Sequence, residues 1–230
     1  MDKMVTFIYI ATNRYINYFL NQYKTLLNFC PNLNKNIIVL TDNIEKILEF
    51  KDKYEDKKCL IKYIKYINHL PWPLITLLKM HYIYDVYDLC DDYIVFTNAN
   101  LIFDKNYIDN NYIFNDKISL SFMGTTKHEY FNLWNKINPY DENLHYVIGT
   151  FFAGPKDKMK EFLIQSIKYI NNKLINNIIE NKHDESIINY LYSQNPKSFN
   201  LIDLSSFADI DTNLYGCGGS IDYKKDLQLL

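Results

Sequence analysis

The densest polar cluster of the chain is His183-Asp184-Glu185-Ser186, an imidazole, two carboxylates and a hydroxyl in four consecutive residues. A carboxylate here, Glu185 or Asp184, would serve to face an electrophilic carbon. The same residues equally suit a helix start, where a capping side chain and an acidic first turn stabilise by about 1 kcal/mol. A second candidate is Asn98-Ala99-Asn100, where the apolar run "DDYIVFT" (91–97) stops at two amides flanking an alanine. Asparagine offers N–H donors to oxygen-rich ligands, and it also tolerates the left-handed backbone of a turn. The third is "VIGTFFAGP" (147–155), small residues around two phenylalanines. It reads either as a floor for a flat ligand ring, with Thr150 setting the available volume, or as a strand ending in a turn.

The elements that must position these residues follow from periodicity. "MVTFIYIA" (4–11), "NIIVLTD" (36–42), "CLIKYIKYI" (59–67) and "DDYIVFT" read as strands, the first, second and last of them fully buried. Between them, Tyr15, Phe19, Tyr23, Leu26 and Leu27 fall at helical spacing, "IEKILEF" (44–50) is a short helix, and Pro71-Trp72-Pro73 opens a helix over 74–89. Alternation of strand and helix predicts an α/β protein with a largely parallel sheet. Ligands of such sheets bind outside the carboxyl ends of the strands, which here carry Ala11-Thr12-Asn13, Thr41-Asp42 and Asn98-Ala99-Asn100.

The second half reads as a mixed sheet. Strands are expected over 117–124 and 145–154, and late in the chain over 198–207. A long amphipathic helix is expected over 155–180, with Met159, Phe162, Leu163, Ile167, Ile170, Leu174 and Ile178 on one stripe. Asp184 is expected to cap a shorter helix that stops before Pro196. No internal repeat and no linker long enough to force a domain cut is seen, so the expectation is a single domain over 1–230.

A length of 230 residues is ample for a buried core, and 48% hydrophobic with 23% charged residues is ordinary for a globular protein. The 21 tyrosines accompany many Ile, Asn and Lys, which points to compositional bias and not to chemistry. A formal net charge of −2 argues for neither a nucleic-acid nor an anionic-membrane partner. Cys30, Cys59, Cys90 and Cys217 are too scattered for a zinc site or a disulfide framework, and fit a reducing compartment. No signal peptide and no run of about 18 apolar residues is visible, so a soluble, cytoplasmic chain is expected.

Taken together, the motifs resemble glycosyltransferase family 6, which includes the histo-blood-group A and B transferases and α-1,3-galactosyltransferases. Four pieces match in order. "IYIATNRY" (8–15) resembles the family's uridine-binding start, and "VLTD" (39–42) the end of its second strand. "FTNANLIF" (96–103) sits where the family's metal-binding Asp-x-Asp lies. "IGTFFAG" (148–154), then a helix, then "HDESIINYL" (183–191), is similar to its small-small-Phe-Phe-x-Gly segment and its His-Asp-Glu-Ser motif. The resemblance implies a GT-A-type, Rossmann-like fold with a mixed, mainly parallel sheet flanked by helices. Residues 1–103 would be its nucleotide-binding half, and 104–230 its acceptor and sugar half with a C-terminal tail.

It also implies roles. Ile10, Thr12 and Tyr15 fall where the family contacts uracil and ribose, with Ala11 in the same donor-binding run. Lys79 takes the place of an arginine that touches the donor sugar, counted from Trp72. Ile148, Gly149 and Thr150 match the segment that separates galactose from N-acetylgalactosamine donors. Asp184 matches a sugar-binding residue, His183 an acceptor-binding one and Glu185 the proposed nucleophile. Lys182 replaces the family's tryptophan before this motif, on the acceptor side. The family's basic tail has its best substitute in "DYKKD", where Lys224 or Lys225 would fold over the pyrophosphate or else form an ordinary charged terminus.

Asn98, Ala99 and Asn100 replace the metal motif. Two neutral amides supply dipoles and no charge, so affinity for a hard divalent cation should fall sharply. Bacterial family members with Asn-x-Asn are metal-independent, and the resemblance implies no divalent metal or other cofactor here. Lys79, Lys224 and Lys225 would then offset the charge of the departing UDP. The expectation is a retaining transfer of a hexose from a UDP-sugar to a glycan hydroxyl, of α-1,3 type. Thr150 favours UDP-galactose over N-acetylgalactosamine. Two rivals are a GT-A glycosyltransferase of another family, with Asp42 or another carboxylate lining the sugar pocket, and an inactive nucleotide-sugar or glycan-binding module.

Overall fold

A computed structural model of the chain describes residues 4–71, 74–104, 114–122, 138–176, 178 and 183–210. Trp72, Lys182, Lys224 and Lys225 lie outside the described residues, as does the side chain of His183.

Seven strands form the main sheet: β1 (Met4–Ile10), β2 (Asn34–Thr41), β3 (Cys59–Tyr66), β4 (Tyr93–Thr97), β6 (Ile118–Phe122), β7 (Val147–Pro155) and β8 (Phe199–Asp203). Their order is β3-β2-β1-β4-β7-β6-β8. Strand pairing is parallel throughout β3-β2-β1-β4 and again between β6 and β8, and antiparallel where β7 joins β4 and β6. This is the expected mixed, mainly parallel α/β sheet flanked by helices, and it fits a GT-A-like Rossmann arrangement. The chain runs outward from β1 to β3, then returns to lay β4 on the other side of β1. That reversal leaves a crevice at the carboxyl ends of β1 and β4, the usual ligand position of an open sheet.

Alternation along β1 explains the two cores. Val5, Phe7 and Tyr9 point to the face covered by α1 (Tyr15–Asn28) and α2 (Ile44–Tyr54), while Ile8 points to the other. The second face carries α3 (Leu74–Leu77), α4 (Lys79–Asp85), α5 (Lys156–Ile175) and α6 (His183–Gln194). The apolar stripe of α5 is present, with Met159, Phe162, Leu163 and Ile170 buried, but the helix stops at Ile175 and Ile178 is exposed.

Three local expectations change. The helix expected over 74–89 breaks at Leu78, whose backbone (φ −84°, ψ 1°) leaves the helical basin, so Lys79 starts a new helix. The late strand splits into β8, a 3₁₀ turn over Leu204–Ser206 and β9 (Ala208–Ile210). β9 pairs with the unforeseen β5 (Leu101–Phe103), which carries the chain away from Asn98–Asn100. Finally, Asp184 lies inside the first turn of α6 instead of capping it, because its carboxylate is engaged elsewhere.

Candidate active site

At the carboxyl end of β1, the Ala11 amide still donates to Leu40 O (2.8 Å), extending the ladder by one residue. Thr12 is buried and its hydroxyl meets His69 Nδ1 at 3.2 Å. Asn13 then takes a left-handed backbone (φ 51°), and its amide donates to both carboxylate oxygens of Asp42 at 2.9 and 3.1 Å. Asp42 therefore shapes the turn into α1. Ile10 and Tyr15, both half-buried, flank this turn.

Across the crevice, the end of β4 is fixed by its backbone. The Asn98 amide donates to Thr150 O at 2.8 Å, and Asn98 O accepts from Gln22 Nε2 (3.2 Å) and Leu101 N (3.2 Å). The last of these closes a turn over 98–101, the conformation asparagine favours. The half-buried Asn98 carboxamide makes no hydrogen bond among the described residues, while Ala99 and Asn100 are buried. Gln22, fully buried on α1, ties the helix to this turn, a role its place in an otherwise apolar helix stripe did not reveal.

The neighbouring strand, β7, is irregular within the 147–155 segment. Between the pairs Leu120↔Phe152 and Phe122↔Val147, β6 advances two residues while β7 advances five. The bulge over Ile148–Phe151 strands two carbonyls, and Ser121 Oγ donates towards both, to Phe151 O at 2.8 Å and to Ile148 O at 3.4 Å. Bulges of this kind re-aim side chains beside active sites. Here the bulge brings Gly149 against α6 and leaves Thr150 Oγ1 buried without a hydrogen bond among the described residues.

Against Gly149 lies a buried ion pair. Lys79 Nζ donates to Asp184 Oδ2 at 2.6 Å and to Gly149 O at 2.7 Å, and stands 4.6 Å from the centre of the Phe96 ring. Lys79 and Asp184 are 3% and 7% exposed. A buried charge pair holds only when its remaining donors are also satisfied, and the carbonyl and the ring face meet that need. The Lys79 charge, one of those expected to offset a departing phosphate, is matched here by Asp184, which it orients.

Glu185, the next residue, is half-buried, and its Oε2 accepts the hydroxyl of Tyr146 at 2.5 Å. Burial first, then the charge of Glu185, pushes the Tyr146 phenol well above its ordinary range, so it keeps its proton and acts as a donor. Of the two carboxylates left open by the sequence, Asp184 is committed to Lys79 and Glu185 is the more accessible. Asn189, one turn further along α6, fixes the helix start to the sheet: its Nδ2 donates to Val147 O (2.7 Å) and Glu185 O (2.8 Å), and its Oδ1 accepts from Val147 N (2.9 Å). Asn138 Nδ2 completes the set at 3.1 Å.

The structure thus joins Asn98 to Thr150 and gathers Lys79, Gly149 and Asp184 beside Glu185. Ile10–Tyr15 lie on the other wall of the crevice, with Asp42 holding their turn. Asn189 was legible in principle, as the polar residue interrupting "IINYL" on the Glu185 face of α6. Tyr146, one tyrosine among many, carried no such signal. Among the described residues no group of three His, Cys, Asp or Glu converges as a metal site would, and no helix is long and apolar enough to cross a membrane.

The chain is 25% identical over 211 residues to the O-antigen biosynthesis glycosyltransferase WbnI of Escherichia coli, an alignment covering 84% of this chain and 83% of that protein. No family model matches the chain. A likeness spanning most of both chains supports glycosyl transfer as the general activity.

Proposed function

We propose that this protein is a retaining glycosyltransferase that moves galactose, or N-acetylgalactosamine or a related hexose, from a UDP-sugar to a glycan hydroxyl, with an α-1,3 linkage and without a metal ion. The observation that carries the reading is the hydrogen bond from Asn98 N to Thr150 O. It ties the nucleotide-facing turn at the sheet's switch point to the strand that holds the Lys79–Asp184 pair beside Glu185. Donor phosphates and donor sugar would then occupy one continuous crevice. The nucleoside lies against Ile10–Tyr15, the diphosphate and ribose meet the amides of Asn98 and Asn100, and the sugar sits over Gly149 and Asp184. The Thr150 hydroxyl, otherwise without a hydrogen bond among the described residues, would find its partner in the bound donor.

Retention arises by one of two routes, and Glu185 faces the anomeric carbon in both. In the first, a Glu185 oxygen bonds to that carbon as UDP leaves, and the acceptor oxygen then displaces the carboxylate, its proton passing to the phosphate of the UDP still in the site. In the second, the acceptor oxygen arrives on the face UDP vacates, passes its proton to the departing phosphate, and Glu185 stabilises the positive charge at carbon. The charge on UDP is offset by Lys224 or Lys225 of the tail, since Lys79 is already matched. His183 and Lys182 are the residues we assign to acceptor binding.

The test is incubation with a panel of UDP-hexoses in EDTA, with release of UDP followed in the absence and presence of a glycan acceptor. Turnover that survives EDTA, with UDP-galactose preferred, is the expected result. Binding of UDP-sugars with no release under any metal condition would instead identify a non-catalytic module.

A further inference from the structure

We infer that Tyr146 is the positioning residue for Glu185, holding the carboxylate by Oε2 and so fixing the face that it turns to the donor sugar. The inference rests on the glycosyl-transfer reading and adds to it a residue outside the motifs that suggested that reading.

A phenol-to-carboxylate hydrogen bond of 2.5 Å is at the short end for an ionised acceptor, where such bonds are strongest. Its two ends are not free to drift apart. Tyr146 immediately precedes Val147, and Val147 exchanges hydrogen bonds in both directions with the Asn189 carboxamide. Asn189 in turn holds Glu185 O. Tyrosine and glutamate are therefore mounted on one closed frame of β7 and α6, and the hydroxyl acts on the side-chain rotation that this frame leaves. The phenol enters that bond as a donor, because burial and the neighbouring carboxylates hold its proton in place. Among the described residues, the charged and titratable groups around it are Glu185 and Asp184 on α6, Tyr140 in the preceding loop and, through Asp184, Lys79 on α4. Asp184 is already bound to Lys79, so the orientation that Tyr146 imposes falls on the more accessible carboxylate of the site.

The experiment is the isosteric substitution Tyr146→Phe, assayed for UDP release beside the wild type, Glu185→Gln and the Tyr146→Phe/Glu185→Gln pair. Tyr140→Phe is the control for loss of an exposed hydroxyl. The expected result is a fall in kcat of about tenfold to a hundredfold, the effect of losing a hydrogen bond to a charged group, with KM and the affinity for UDP unchanged. In the Glu185→Gln background the same substitution should change kcat by no more than about threefold, because the two residues act as a unit. Wild-type kcat in Tyr146→Phe, or a loss that multiplies fully with that of Glu185→Gln, would overturn the inference and leave the transferase reading standing. A wild type that releases no UDP from any UDP-hexose would overturn both.

Discussion

Asp184 occupies the space that a side chain on Gly149 would need. A Cβ on the glycine would lie 2.0 Å from Asp184 Oδ2 and 3.0 Å from its Cγ. The backbone of Gly149 is not in a left-handed conformation, so the requirement is for room and not for torsional freedom. Gly149→Ala must push Asp184 off Lys79 or bend β7 away from α6. The expected outcome is a stability loss of about 1–3 kcal/mol from overpacking. Because an ångström of displacement at a reacting centre costs about a hundredfold, UDP release should fall by that order. Urea unfolding and a UDP-release assay on the same preparation check both.

The Lys79–Asp184 pair separates stability from activity. Lys79→Met leaves a buried carboxylate without its cation and should cost about 3–5 kcal/mol. Adding Asp184→Asn removes the stranded charge and should return much of that stability, since a buried ion pair is often replaceable by neutral groups. Activity should stay lost in the double variant, because the carboxylate proposed to face the donor sugar is gone. A double variant as unstable as Lys79→Met alone would mean that Lys79 supports the fold through Gly149 O and Phe96 instead.

Much of this arrangement was legible from local pattern, and the remainder was not for identifiable reasons. The run from Met4 to Ile10 and the helix after it follow from burial and period alone, and so do the strand ends at Ala11–Asn13 and Asn98–Asn100. Asp184 and Glu185 drew attention as adjacent carboxylates. Their separate commitments, one to Lys79 over a hundred residues earlier and one to Tyr146, depend on how α4, α6 and β7 meet. Local periodicity carries no information on such pairs. The break at Leu78 and the bulge at Ile148–Phe151 were missed for the same reason. Each is an irregularity that the surrounding packing enforces on a segment whose own propensity is regular.

Alkaline pH should unfold this protein by way of its buried thiols. Burial pushes Cys59 and Cys90 up to about 12 from an ordinary value near 9.0. Both thiols stay protonated in the folded chain while their unfolded counterparts ionise. The folded state therefore binds more protons than the unfolded one between those values. Their contribution to stability is complete below about pH 9 and is lost as pH rises towards 12. Thermal melts across this range should show a falling midpoint that Cys59→Ala/Cys90→Ala makes shallower. At neutral pH the two thiols should resist alkylation until the chain is denatured.

The pair Asn98→Asp/Asn100→Asp tests what the two amides do. The Asn98 backbone is held by Thr150 O, Gln22 and Leu101, contacts that a carboxylate side chain leaves intact, so the turn should survive the change. Two carboxylates at this turn supply the anionic oxygens that a divalent cation seeks, and Mn²⁺ binding should become measurable by titration calorimetry. Without metal, the same carboxylates would face the proposed diphosphate site with like charge and no N–H to offer, so turnover in EDTA should drop by about tenfold or more. Added Mn²⁺ should recover part of that loss without exceeding the wild type, as expected of a site proposed to work with neutral donors. A wild type that loses its activity in EDTA would mean that the asparagines hold a metal after all, and a double variant that outruns it in Mn²⁺ would mean that the assignment of charge to the lysines is wrong.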